Sequence, residues 1–130
     1  MDTKTRTFDG SLVSIVDDDA SVRRSTRRLL RSAGYRVETF ASAEEFLASG
    51  QYRATACLIL DLRMPGMNGL ELQCRLAEGP TPVPIVFFSA HASAHDEHEA
   101  LRAGAARFLR KPVEKEVLLL AIRDALKTST

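Results

Sequence analysis

The triplet Asp17-Asp18-Asp19 follows the apolar run Leu12-Val13-Ser14-Ile15-Val16 directly. Asp61 ends a second such run, Thr55-Ala56-Cys57-Leu58-Ile59-Leu60, Ser89 closes a third, Ile85-Val86-Phe87-Phe88, and Lys111 follows a fourth, 106–110. Each is the first strongly polar side chain after a β-rich stretch. If the stretches are neighbouring strands, these side chains converge on one crevice outside the carboxyl ends of a sheet, where open α/β folds bind ligands. Clustered carboxylates repel one another, so either their pKa rises or they hold a cation. All-oxygen ligands without a useful Cys or His suit a hard cation, Mg²⁺ first, with Mn²⁺ as an alternative. Lys111 and the Ser89 hydroxyl then suit an anion beside that metal. Carboxylates, a divalent cation, a lysine and a hydroxyl together describe phosphoryl-transfer chemistry.

The elements that must position these groups alternate along the chain. After the first strand comes a helical segment with Val22, Leu29, Leu30 and Ala33 on one face, stopped by Gly34. Its other face carries Arg23, Arg24, Arg27, Arg28 and Arg31, which reads as a solvated face or as a docking surface for an acidic partner. Arg36 to Phe40 alternates like a strand, and Ser42 with Glu45 makes a capping-box pattern for a second helix. Met64 to Gly69 reads as a loop before a helix carrying Leu70, Leu72, Cys74 and Leu76, ended by Pro80, Pro82 and Pro84. A further helix is expected to run to about Ala103, and a last one from Glu114 to about Lys127. In that last helix Leu118, Ile122 and Ala125 form the expected core stripe with Val117 and Ala121 beside it. Leu120 should face outward with Glu116, Arg123 and Lys127. Five strand–helix units imply an α/β fold with a parallel sheet and helices on both faces.

A chain of 130 residues with 45% hydrophobic and 27% charged side chains has the composition of one globular domain rather than of a disordered segment. The expected core spans about 12–126 between short polar tails. A net charge of +1 argues against a strongly basic nucleic-acid module. No apolar run reaches the ~20 residues of a membrane span, and the polar start from Met1 to Gly10 does not resemble a secretory signal. A cytoplasmic location is therefore expected. Cys57 and Cys74 read as small core or half-buried thiols of a reducing compartment.

Taken together, Val16-Asp17-Asp18-Asp19, Asp61-Leu62-Arg63-Met64-Pro65-Gly66-Met67-Asn68-Gly69, Ser89-Ala90 and Lys111-Pro112 resemble the receiver domain of two-component response regulators. The resemblance covers about Leu12 to Leu126. The Asp-Leu-Arg-Met-Pro and Ser-Ala-His wording is further similar to receivers attached to LuxR-type DNA-binding domains. It implies a flavodoxin-like (βα)5 sandwich with strand order 2-1-3-4-5. It implies a regulatory phosphoacceptor rather than an enzyme in the usual sense, one that assists its own phosphorylation and autodephosphorylation. Asp61 matches the acceptor of a phosphoryl group from a kinase phosphohistidine. Asp18 matches the direct Mg²⁺ ligand, Asp17 a neighbour acting through water, and the backbone carbonyl of Arg63 the third protein ligand. Lys111 would pair with the acyl phosphate, Ser89 would hydrogen-bond a phosphoryl oxygen, and Phe108 matches the switch aromatic. The side chains of Arg63 and His91 would flank the phosphoryl group and tune its lifetime. The partners so implied are a sensor histidine kinase or phosphotransfer protein and a phosphorylation-dependent homodimer, with no membrane and no direct contact to nucleic acid.

Several residues admit other readings. Asp19 suits a helix N-cap. His91, His95 and His98 have a spacing that would place them on one helical face beside Asp96 and Glu99, an arrangement that could hold a transition metal but that a solvent-facing helix explains better. Asp17, Asp19 and Ser21 form an Asp-x-Asp-x-Ser pattern similar to haloacid-dehalogenase-type phosphatases, with Asp17 as nucleophile. That reading leaves Asp61 and the Met64 to Gly69 loop without a role. A flavin-binding module would need a phosphate-cradling loop where the first strand ends in acids.

Overall fold

The apolar runs at 12–16, 57–60 and 85–88 become central parallel strands because continuous Val, Ile, Leu and Phe can be buried on both faces of a sheet. The more polar stretches at 36–40 and 107–110 form its edges. The computed structural model describes residues 10–128; the polar start at 1–9 and residues 129–130 lie outside the described residues. The strands are β1 (Leu12–Val16), β2 (Arg36–Phe40), β3 (Cys57–Leu60), β4 (Ile85–Ser89) and β5 (Arg107–Arg110). They pair in the order β2-β1-β3-β4-β5. The helices are α1 (Ala20–Ser32), α2 (Ala43–Ser49), α3 (Gly69–Ala77), α4 (Ala94–Arg102) and α5 (Lys115–Thr128), with one 3₁₀ turn at Gln51–Arg53. The sheet order and the flavodoxin-like architecture agree with expectation.

Strand alternation divides the core into two layers. Val16, Leu58, Leu60, Ile85 and Phe87 pack with Phe46 of α2, Leu72 and Leu76 of α3, and Ala100 of α4. Val13, Ile15, Cys57, Ile59 and Val86 pack with Leu30 of α1 and with Leu118, Ala121, Ile122 and Ala125 of α5.

Capping follows the sequence closely. The Asp19 carboxylate accepts the N–H groups of Ser21 and Val22, so this acid caps α1 as anticipated. Ser42 Oγ accepts the Glu45 N–H, but Glu45 reaches the Ala41 N–H rather than closing the box on Ser42. Full capping boxes form at Asn68/Glu71 and at Ser93/Asp96.

Three expectations need correction. Cys74 is exposed: it lies on the outer face of α3, while Leu72 and Leu76 occupy the inner one. Val117 is 44% exposed rather than packed beside the core stripe, because it stands in the first turn of α5 next to the edge strand, where the layer beneath no longer covers it. His91 is not helical: α4 begins only after the Ser93 cap, so the three histidines do not share one helical face. Among the described residues, Asp17, Asp18 and Asp61 form the one grouping of three potential metal ligands.

Candidate functional site

The register brings the polar strand ends together. Val16 of β1 lies opposite Leu60 of β3, and Leu60 lies opposite Phe87 of β4. The residues that follow β1 and β3, Asp17 and Asp61, are therefore neighbours, and the Asp61 N–H donates to the Val16 carbonyl at 2.9 Å. Ser89 pairs with Arg110 in the sheet, and the next residue, Lys111, donates its N–H to the Ser89 carbonyl at 2.9 Å. A crevice of about 240 Å³ is lined by Asp17, Asp18, Asp19, Asp61, Arg63, Ser89, Ala90, His91 and Lys111. A larger cleft of about 510 Å³ between α2 and α3, lined by Leu47, Tyr52 and Leu76 among others, contains none of these groups.

Asp17, Asp18 and Asp61 each present an oxygen, and the three oxygens lie within 4.8 Å of one another. Asp17 and Asp61 are buried, whereas Asp18 is exposed at the mouth. Both oxygens of Asp17 are engaged. Oδ2 accepts from Lys111 Nζ at 2.8 Å, and Oδ1 accepts the Asp19 N–H at 2.9 Å. Arg23 of α1 secures the same loop by donating to the Asp17 carbonyl at 2.7 Å.

Asp61 Oδ1 accepts the N–H of Leu62 at 2.8 Å. Burial pushes the Asp61 carboxyl up to about 6, and the Asp17 charge adds to the rise. Lys111, the Ser89 hydroxyl and the Leu62 N–H oppose it. The hydroxyl does so without a hydrogen bond of normal geometry, since Ser89 Oγ is buried and has no such partner. Buried polar atoms without partners are uncommon and mark places that something else completes.

The donor set fits a hard divalent cation: clustered carboxylates, one of them open to solvent. Lys111 supplies the compact positive charge that compensates the acids when no cation is bound. The orphaned hydroxyl suits an oxyanion beside Asp61.

The remaining expected residues are placed as follows. Phe108 is half-buried and stacks on the fully buried Phe87, with ring centroids 5.5 Å apart and planes at 25°. The Arg110 guanidinium caps its outer face, 5.6 Å from the ring centroid. Arg63 borders the crevice, but its side chain runs to α4, where it meets Asp96 Oδ2 at 2.5 Å and the His91 carbonyl at 3.3 Å. His91 lines the crevice next to Arg63.

Sequence reasoning missed three contributors. Gly69 packs so closely on the acceptor's backbone that a Cβ there would stand 2.5 Å from the Asp61 carbonyl oxygen. Asp96 anchors Arg63, and Arg110 anchors the loop before α4. The Ser93-x-x-Asp96 capping pattern was a visible signal for the position of Asp96; its partner, 33 residues away, had no sequence signal.

Comparison with known proteins agrees with this geometry. The family model described as response regulator receiver domain matches residues 13–123. The chain is 47% identical over 117 residues to the response regulator protein TmoT of Ectopseudomonas mendocina, covering 90% of this chain and 53% of that protein. It is 36% identical over 115 residues to the transcriptional regulatory protein FixJ of Bradyrhizobium diazoefficiens, covering 88% of this chain and 56% of that one. The chain thus spans about half the length of these curated relatives. Among solved structures, FixJ-N superposes with a TM-score of 0.81 at 36% identity, covering 90% of this chain and 94% of that one. The response regulator StyR gives a TM-score of 0.81 at 44% identity, covering 92% and 61%. Such domains are regulatory signalling modules that work with a kinase and bind Mg²⁺ in general. No helix among the described residues is long and apolar enough to cross a membrane. The chain belongs to the response regulator receiver domain family.

Proposed function

We propose that this domain is the phosphoacceptor switch of a two-component system, working in the cytoplasm, and that Asp61 takes a phosphoryl group from the phosphohistidine of a sensor kinase or phosphotransfer protein. The observation that carries this reading is the meeting of three carboxylates, a lysine and an orphaned buried hydroxyl at adjacent strand ends. In the transfer, an Asp61 Oδ forms a bond to phosphorus while the P–N bond of the donor breaks. The donor imidazole keeps that electron pair.

Asp18, Asp61 and the Arg63 backbone carbonyl would hold Mg²⁺, with Asp17 acting through water; Mn²⁺ fits the same donors. When bound, the cation offsets the charge developing on the phosphoryl oxygens and keeps Asp61 ionised. Lys111 is held over the crevice by Asp17 and is placed to pair with the new acyl phosphate. The Ser89 hydroxyl gains the partner it lacks by donating to a phosphoryl oxygen. As Ser89 is drawn in, Phe108 can follow into the vacated space. A charge change of about −1.5 to −2 at Asp61 thereby becomes a change of surface around α4, β5 and α5. The side chains of Arg63 and His91 at the rim would govern how readily water reaches the acyl phosphate.

The phosphatase reading is disfavoured by Asp17 itself. Its carboxylate is oriented by Lys111 and by the Asp19 N–H as a partner of the lysine, and this reading leaves Asp61 and the Met64 to Gly69 loop without a role. Incubation with a small-molecule phosphodonor and Mg²⁺ should add one acid-labile phosphate, seen by intact mass, that is lost in Asp61→Asn. Phosphate mapped to Asp17 instead would transfer the reading to the phosphatase.

A further inference from the structure

Helix α4 is weakly anchored by apolar contacts. Its sequence, Ala-His-Asp-Glu-His-Glu-Ala-Leu-Arg, buries only Asp96 and Ala100, and Leu101 is 45% exposed. Polar contacts hold it instead. At its C-terminal end the buried Gln73 of α3 donates to the Ala100 carbonyl at 2.9 Å. At its N-terminal end two guanidinium groups hold it. Arg110 donates to the Ala92 and Ser93 carbonyls and pairs with Glu97 at 2.9 Å. Arg63 donates to the His91 carbonyl and pairs with Asp96.

The two cations differ in what else is near them. Arg110 rests on the Phe108 ring, outside the crevice. Arg63 lines the crevice that contains Asp61, two residues away in sequence. Its side chain is 56% exposed, while that of Asp96 is 12% exposed. The Asp96 carboxyl is held below its ordinary pKa, first by the Ser93 N–H and also by Arg63. Asp96 is thus a fixed anion, and Arg63 a swinging cation that it retains.

We propose that Asp96 holds the Arg63 side chain off the phosphoryl site in the resting protein, and that a phosphoryl group on Asp61 takes this guanidinium over and loosens the first turn of α4. Asp96 is then a positioning residue acting through Arg63. The proposal rests on the phosphoacceptor reading above and adds no covalent step to it. The exchange is favourable because a phosphoryl group offers about two negative charges and several acceptor oxygens, where Asp96 offers one charge already shared with the Ser93 N–H. Its cost is limited because the guanidinium is already 56% exposed and the buried Asp96 carboxylate keeps the Ser93 N–H when Arg63 leaves. Once Arg63 leaves, Arg110 alone clamps the loop, and its seat on Phe108 links that clamp to the same aromatic that follows Ser89.

The test uses Asp96→Asn, which keeps an oxygen for the Ser93 N–H cap and removes the charge. Phosphorylation of Asp61 by a small-molecule phosphodonor with Mg²⁺ should become about two- to fivefold faster, the range expected for releasing one guanidinium from an ion pair. Amide exchange over residues 91–98 in the resting variant should match that of phosphorylated wild type, and phosphorylation should not raise it further. In an Arg63→Gln background the same substitution should leave the phosphorylation rate unchanged. Glu97→Gln, which removes the Arg110 pair, should loosen residues 91–98 without accelerating phosphorylation, separating mere loosening from release of Arg63. The proposal is overturned if Asp96→Asn accelerates phosphorylation equally without Arg63, or if wild-type exchange over 91–98 is unaffected by phosphorylation. If wild type accepts no phosphate at Asp61 at all, the phosphoacceptor reading itself fails, an outcome distinct from phosphorylation without release of α4.

Discussion

Asp61 must be ionised to act, in a place that resists ionisation. Burial and the Asp17 charge raise its carboxyl to about 6 from an ordinary 3.8, against the pull of Lys111. A raised carboxyl pKa contributes stability that is complete below the unfolded value and is lost as pH rises through the folded value. In chelator-treated protein, Asp61→Asn should therefore be more stable than wild type by about 1–2 kcal/mol near neutral pH, after discounting for the solvent at the crevice. The gap should close as pH falls to the ordinary carboxyl range, and millimolar Mg²⁺ should narrow it. Urea melts across that range check this, and equal stability at neutral pH would show that the carboxyl is not strained by its surroundings. The polar types at this site were legible because each interrupts an apolar run. Their pairing was not: that Lys111 rests on Asp17 rather than Asp61 depends on side-chain geometry across two intervening strands.

At the scale of elements, the strands and caps were legible because they depend on local chemistry. Asp19 caps α1, and Ser42 caps α2, as Asp and Ser side chains satisfy free helix N–H groups, whereas the Ser93 cap of α4 was not read from the sequence. The loop carrying the acceptor is positioned by less local means. Glu44 of α2 accepts the Met67 N–H at 2.9 Å, and this contact holds its carboxyl below the ordinary range. Gly69 then starts α3 against the acceptor strand, donating its N–H to the Leu62 carbonyl at 2.9 Å. A methyl at Gly69 would stand 2.5 Å from the Asp61 carbonyl oxygen and 3.0 Å from both Leu62 Cα and Phe87 Cε1, so backbone must shift. Gly69→Ala should cost about 2–3 kcal/mol in a denaturant melt and slow phosphorylation by displacing Asp61. Gly79→Ala is the control. Its added Cβ would meet the Leu76 carbonyl oxygen at 3.4 Å, an ordinary contact, and its effect should stay within about 0.5 kcal/mol. No periodicity in the sequence distinguishes these two glycines, because the difference lies in which backbone approaches them.

For the whole molecule, strand–helix alternation sufficed for a parallel sheet with helices on both faces, while the order 2-1-3-4-5 came only with the family resemblance. Alternation does not specify which parallel strands are neighbours. The same limit explains Val117, whose wheel position beside Ala121 suggested burial but whose place in the first turn, next to the edge strand, leaves it uncovered. With it, Leu120 at 50% and Leu101 at 45% are the large hydrophobics most exposed among the described residues, and they belong to α5 and α4, the helices flanking β5. Single exposed apolar side chains need no cause, but three on the two helices beside the proposed switch aromatic suit a surface that a partner covers. Around them Arg102, Arg107, Glu116 and Arg123 offer a charged rim, though Arg107 is already paired with Asp124 at 2.8 Å. Phosphate at Asp61 would act there by favouring a compatible surface, without touching the partner. We expect a resting monomer that self-associates when an acyl-phosphate mimic is bound. Leu120→Glu should remove the association, since a carboxylate at the centre of an apolar contact is left desolvated and unpaired, and should leave phosphorylation of Asp61 intact. Sedimentation velocity with and without the mimic decides it. A variant that still associates, or a phosphorylated wild type that stays monomeric at high concentration, would return Leu120 to the status of a solvent-exposed leucine.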